Sequence, residues 1–91
     1  MDPTGTDIYI NLGSCYRLLG KYKEAEEALL HVLLIQPFSP EANYEIALLY
    51  QETGKKEDAL SHMRRVVNIW EQADPDFEPA IKAHNKLRDW E

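Results

Sequence analysis

The sequence predicts an all-α fold of five helices built from a repeated helical hairpin, and three observations support this prediction. The segment that begins at Leu12 recurs 34 residues later, so that Tyr16 matches Tyr50. Apolar residues within each copy are spaced three and four residues apart, which is typical of amphipathic helices. One glycine, Gly20 or Gly54, lies between the two helical patterns of each copy, where a left-handed residue ends a helix. Further matches at the same displacement are Lys21 with Lys55, Ala25 with Ala59, Val32 with Val66 and Ile35 with Ile69.

The composition limits the classes of partner and compartment. Sixteen acidic residues against ten basic ones give a net charge of -6, which disfavours nucleic acid because phosphates require clustered Lys and Arg. No apolar run approaches the roughly 18 residues that a membrane helix needs. The N-terminus has neither the basic nor the apolar region of a secretion signal. We therefore expect a soluble cytoplasmic protein that does not bind membranes.

The first unit is expected to follow a polar, disordered arm at residues 1–5. Thr6 or Asp7 is suited to cap the first helix. Cys15 lies on its apolar stripe and is predicted to be a small buried core residue. The second helix should run from Tyr22 to about Gln36, and the loop between the two helices is so short that they must pack antiparallel.

The second unit begins at Ser39 and Pro40, and its second helix is predicted from Lys56 to about Gln72, one turn longer than its counterpart. A fifth helix follows with Asp76 as its cap. Its apolar face is predicted to cover the end of the stack. The residues of that face are Phe77, which is expected to pack near Trp70, and Ala80, Ile81, His84 and Leu87.

Catalytic and metal-binding patterns are lacking in the sequence. His31, His62 and His84 fall in three different predicted helices, without Cys or Asp at metal-ligand spacing. We expect His84 to be half-buried and the other two to be exposed. Ser14 has no histidine within one helical turn. The sequence thus predicts a protein that is not an enzyme and that has no cofactor and no metal.

The repeated unit resembles the tetratricopeptide repeat family, whose period is about 34 residues. The resemblance divides the chain into repeats at residues 6–39 and 40–73 and a capping helix at 74–91. It implies an α-solenoid with a right-handed superhelix, whose first helices line a concave groove that binds segments of other proteins. The residues of the first unit that carry it are Leu12, Gly13, Tyr16, Gly20, Tyr22, Ala25, Leu29, Val32 and Pro37.

The family pattern implies which residues face the groove. The positions at which some relatives clamp a carboxylate hold Ile10, Ser14 and Glu45, so that clamp is missing here. Acidic residues of the second unit favour an apolar or basic partner segment. The implied partner-binding residues are Ile10, Asn11, Ser14, Arg17 and Leu18 in the first unit, Glu41, Tyr44, Glu45, Leu48, Gln51 and Glu52 in the second, and Lys82, Asn85 and Lys86 in the cap.

A second apolar surface is predicted on the second helix, where Leu30 and Leu34 lie one turn apart and outside the inward stripe. The first helix also lacks a preceding hairpin, and two repeats are fewer than the three usually needed for stability. Three explanations remain open. The segment ends a longer array, it self-associates as a homodimer through Leu30 and Leu34, or its cap and aromatic core suffice.

Overall fold

The computed structural model describes residues 5–91, which form five α-helices. The predicted all-α class is confirmed. The helices are α1 (Thr6–Leu18), α2 (Tyr22–Ile35), α3 (Pro40–Glu52), α4 (Lys56–Ile69) and α5 (Glu78–Trp90). α1 packs on α2, α3 packs on α4, and each pair forms a hairpin. α3 also contacts α1 and α2, while α5 packs on α4.

The two hairpins have matching lengths. α1 and α3 each have 13 residues, and α2 and α4 each have 14. The predicted extra turn of α4 is therefore wrong. After Ile69 the backbone forms turns instead, in which the amide of Ala73 donates to the carbonyl of Trp70 over 3.0 Å. The chain is thus redirected before Pro75 is reached.

Each hairpin turn depends on a glycine in the left-handed region. Gly20 has φ 79° and Gly54 has φ 84°. The amides of Lys21 and Lys55 each donate back to a tyrosine carbonyl, Tyr16 or Tyr50, over 2.8 Å. This is the Schellman motif, which satisfies carbonyls at the helix end. The prediction that these glycines end α1 and α3 is confirmed.

Gly13 lets α1 and α2 approach closely. A Cβ atom at Gly13 would lie 2.6 Å from Cγ of Leu29, which is fully buried. The equivalent pair in the second hairpin is Ala47 and Met63, and both side chains are fully buried.

The core forms two clusters along the stack. The first joins the hairpins through Ala25, Leu29, Ile46, Leu49, Tyr50 and Ala59. The second joins α3 and α4 to α5 through Ala47, Met63, Val66 and Ala83. Trp90 packs against both clusters. α5 is therefore part of the hydrophobic core.

Asn43 fixes the loop between the hairpins. Its side chain is fully buried, and its amide nitrogen donates to the carbonyls of Pro37 (3.1 Å) and Ser39 (2.8 Å). Its Oδ1 lies 2.8 Å from Nδ1 of His62. His62 is consequently half-buried, which corrects the prediction that it is exposed.

Ser39 and Pro40 begin α3 as predicted, and the Ser39 hydroxyl accepts a hydrogen bond from the amide of Ala42 over 3.2 Å.

The buried face of α5 differs from the predicted one. Ala80 and Ala83 are buried, and Leu87 and Trp90 are half-buried. His84, which was predicted to be half-buried, is exposed. Ala83 packs in the second core cluster with Met63 and Val66 of α4, while Ile81 and His84 are exposed. The contact between Phe77 and Trp70 is confirmed, with ring centroids 5.4 Å apart and the rings edge to face.

Three predictions at helix α1 and at the helix starts are also corrected. Cys15 is exposed, because within residues 5–91 no element covers the outer side of α1. Gly5, with φ 71°, precedes α1 as its N-cap residue in place of Thr6 or Asp7. Phe77 takes the corresponding place before α5 instead of Asp76. Residues 1–4 of the predicted arm lie outside the described residues.

Candidate functional site

A concave pocket of about 340 Å³ lies where α1, α3 and α5 meet. Three of its residues come from two neighbouring turns of α3, because positions three and four residues apart share one helix face. α5 contributes two residues at the same spacing, and the turn after α4 contributes an aromatic ring. The lining residues are Ile10, Glu41, Tyr44, Glu45, Trp70, Pro79 and Lys82.

The walls of the pocket are mainly apolar and aromatic. Tyr44 is half-buried and packs against the second core cluster together with Trp70. Trp70 is in turn supported by Phe77, whose ring meets it edge to face. Burial and the neighbouring Glu45 carboxylate raise the pKa of Tyr44, while Arg17 opposes this shift. The Tyr44 hydroxyl therefore carries its proton at neutral pH and is able to donate a hydrogen bond.

Arg17 joins the two hairpins on this concave side. Its Nη1 donates to Oε1 of Glu52 over 2.8 Å, and its Nε lies 3.4 Å from Oε2 of Glu45. Both atoms of the Nε and Oε2 pair are buried, and neither has a hydrogen bond within residues 5–91. The contact with Glu45 is therefore electrostatic. One guanidinium group therefore offsets only part of the acidic charge that the sequence predicted for this surface.

The structure brings some of the predicted groove residues together and separates others. Ile10, Glu41, Tyr44, Glu45 and Lys82 line the pocket, and Arg17 contacts its edge through Glu45. Asn85 lies elsewhere, in a recess beside the loop between α4 and α5, where its Oδ1 accepts from Arg88 over 2.9 Å. The remaining predicted residues lie outside the pocket lining, with Asn11 and Leu18 exposed and Ser14, Leu48 and Gln51 half-buried.

Two lining residues were not predicted to face the groove. Trp70 was predicted as the packing partner of Phe77, and Pro79 is not one of the groove positions that the family pattern implies. α5 begins at Glu78, four residues later than the 34-residue period would place it. Positions on α5 therefore cannot be transferred from the repeats.

The predicted second surface is apolar and open to solvent. Leu30 is 45% exposed and Leu34 is 84% exposed. They lie on α2, away from the concave pocket.

Across residues 5–91, His, Cys, Asp and Glu side chains form no group of three or more that could hold a metal ion. In the same part of the chain, no helix has both the length and the apolar character needed to cross a bilayer.

Stacked helical hairpins that leave their first helices on a concave side define a class of repeat modules that interact with other proteins. The family model described as tetratricopeptide repeat matches residues 6–72, and the chain belongs to this family. Neither a curated protein nor a solved structure gave a significant match. The chain is thus a protein-interaction repeat module, of a family whose members are typically not catalytic.

Proposed function

We propose that the concave pocket binds a segment of another protein. The observation that carries this proposal is the convergence of Ile10, Tyr44 and Trp70 from three parts of the chain on one recess of about 340 Å³. A recess of this kind is large enough for an apolar side chain, and buried anchors supply most of the affinity at protein interfaces. The tetratricopeptide fold alone would not identify this surface, because one fold hosts many partners.

The chemistry of the pocket suggests which segment fits. An aliphatic or aromatic side chain would contact Ile10, Tyr44 and Trp70. Arg17 already pairs with Glu45. Glu41 is therefore the carboxylate of the pocket that would pair with a basic residue of the partner. Lys82, on the α5 side of the pocket, would accept a backbone carbonyl or a carboxylate. We therefore favour a partner segment with an apolar anchor and a neighbouring basic residue.

Selection of binders from a random peptide library, followed by affinity measurement, tests this proposal. Ile10→Glu places a charge in the pocket and should weaken the selected peptides by more than about tenfold, as expected for a central contact. Leu19→Glu is the matched control, because Leu19 is 70% exposed and lies outside the pocket lining. Equal affinity for the Ile10→Glu variant and the wild-type protein, with both folded by circular dichroism, would refute the pocket assignment.

Self-association is the second candidate function, and exposed Leu30 and Leu34 favour it. Two leucines one turn apart on an open helix face form the kind of apolar patch that another chain covers. Sedimentation over a wide concentration range should then show a mass that rises with concentration. Leu34→Glu should abolish the rise, whereas Leu19→Glu should not. A wild-type monomer at the highest concentration would exclude this function.

A further inference from the structure

A second recess lies on the outer side of α4, on a different part of the surface from the concave pocket. Its volume is about 510 Å³. The α2–α3 loop contributes Phe38, and α4 contributes the other residues at spacings that place them on one helix face. The lining residues are Phe38, Ser61, Arg64, Arg65, Asn68 and Ile69.

The charge of this recess is opposite to that of the chain as a whole. The net charge of the chain is -6. Among the described residues, those that line the recess include two arginines and no aspartate or glutamate. Ser61 and Asn68 add neutral hydrogen-bonding groups. The recess is thus a basic surface within an acidic protein.

Both arginines retain hydrogen-bonding capacity. Arg64 forms an exposed ion pair with Glu91, in which Nη2 donates to Oε2 over 3.1 Å. Arg65 uses Nη1 to reach Oδ1 of Asn43 over a long 3.5 Å. A guanidinium group carries five N–H donors, so each of these contacts occupies only part of the group. Carboxylates are the acceptors that the planar guanidinium group matches best.

Phe38 supplies an apolar contact beside these charges. It is 71% exposed, which is unusual for a large aromatic side chain. Its loop is nevertheless fixed, because the amide of Ser39 donates to Gln36 over 3.1 Å and the side chain of Asn43 donates to the carbonyls on both sides of Phe38. Because the backbone that carries Phe38 is already ordered, a ligand that covers the ring has only its side-chain rotamers to fix.

We infer that this outer recess binds an acidic peptide segment of a partner protein, whose carboxylates pair with Arg64 and Arg65 and whose apolar side chain covers Phe38. Charge complementarity selects this class of ligand. A nucleic acid is a poorer fit, because a phosphate backbone requires many basic contacts and is repelled by the net charge of the chain. The outer recess and the concave pocket would then recognise segments of opposite charge.

A blocked synthetic peptide in which aspartates flank a single leucine, labelled for fluorescence anisotropy, provides the probe. Arg64→Gln should weaken its binding by roughly tenfold, as expected for a hydrogen bond to a charged group. Lys23→Gln is the matched control, since it makes the same change of charge at an exposed position of α2 outside the recess. We expect that variant to bind like the wild-type protein.

Phe38→Ala tests the apolar contact separately. It should weaken binding of the peptide that contains leucine several-fold, but it should have little effect on binding of a peptide in which alanine replaces the leucine.

The absence of peptide binding to the wild-type protein would overturn the inference. Equal losses in Arg64→Gln and Lys23→Gln would overturn it as well, and a loss confined to Lys82→Gln would assign the peptide to the concave pocket. If inorganic phosphate or a single-stranded oligonucleotide binds more tightly than the peptide, and Arg64→Gln weakens that binding, then the ligand is an anion of that kind and not an acidic peptide.

Discussion

The first helices of the two hairpins, α1 and α3, have very different burial at equivalent positions. Leu12 is 38% exposed, while Ile46, which lies 34 residues later, is fully buried. Ile8 is 65% exposed, while Ala42 is fully buried. The same contrast separates exposed Cys15 from Leu49, which is 1% exposed.

The difference shows that the repeat sequence does not determine burial by itself. α3 is covered by α4 on one side and by α2 of the preceding hairpin on the other. α1 has the contacts with α2 and α3, but no hairpin within residues 5–91 precedes it. The apolar stripe of a first helix is thus buried here only where a preceding hairpin also packs on it, which is why stacked repeats stabilise one another.

Truncation of Leu12 and of Ile46 should produce the largest difference between the hairpins. Ile46→Ala removes a fully buried side chain and should cost about 3 kcal/mol of unfolding free energy, because it leaves a cavity. Leu12→Ala should cost about 1 kcal/mol, because part of the side chain already contacts water. Urea unfolding followed by circular dichroism measures both values. Equal losses would mean that α1 is covered in solution, for example by a second copy.

The contact between Gly13 and Leu29 should give the next largest effect. Gly13→Ala places a Cβ atom 2.6 Å from Leu29 Cγ, and the steric cost should exceed the gain in helix propensity and leave a net loss of about 1 kcal/mol. The second hairpin tolerates Ala47 beside Met63, since methionine is more flexible than leucine. Leu29→Met should therefore restore stability to the Gly13→Ala variant.

The matched control for this prediction is Leu29→Met alone, which should cost less than about 1.5 kcal/mol. Unfolding free energies of the wild-type protein, the two single variants and the double variant form a double-mutant cycle. A double variant that is less stable than Gly13→Ala would contradict the steric explanation.

Local sequence signals were sufficient to predict the two helical hairpins. Gly20 and Gly54 marked the turns, because few other residues adopt a left-handed conformation without strain. The 34-residue displacement predicted the second hairpin from the first. It also relates Ile10 to Tyr44, and both residues line the concave pocket. Lys82 reaches this surface as well, although α5 begins outside the period.

Tertiary contacts decided what the sequence could not. The face that α5 buries depends on how closely Ala83 approaches α4, and a small residue gives little periodic signal by itself. The ion pairs of Arg17 with Glu45 and Glu52 join different repeats, so no local pattern indicates them. Burial of Asn43 depends on two carbonyls of the preceding loop and also on His62, which lies 19 residues later in the sequence.

The smallest predicted effect concerns His62, whose equivalent in the first hairpin is the buried Ala28. Because the amide nitrogen of Asn43 donates to two carbonyls, Oδ1 faces His62 and accepts from Nδ1. Burial and the neighbouring Arg65 lower the pKa of His62 in the folded protein, while Asp58 opposes this shift. Nδ1 carries the proton of the neutral ring, so acid adds a second proton at Nε2 against this burial.

The unfolded chain therefore binds a proton at His62 more readily than the folded protein does. The contribution of His62 to the free energy of unfolding is complete above the ordinary histidine pKa of about 6.5. It is lost as the pH falls through the lower pKa that His62 has in the folded protein. The urea midpoint should accordingly decrease on acidification, and His62→Gln should remove that part of the decrease. If the pH dependence of His62→Gln equals that of the wild-type protein, then the neutral, buried state of His62 does not contribute to the difference between the two hairpins.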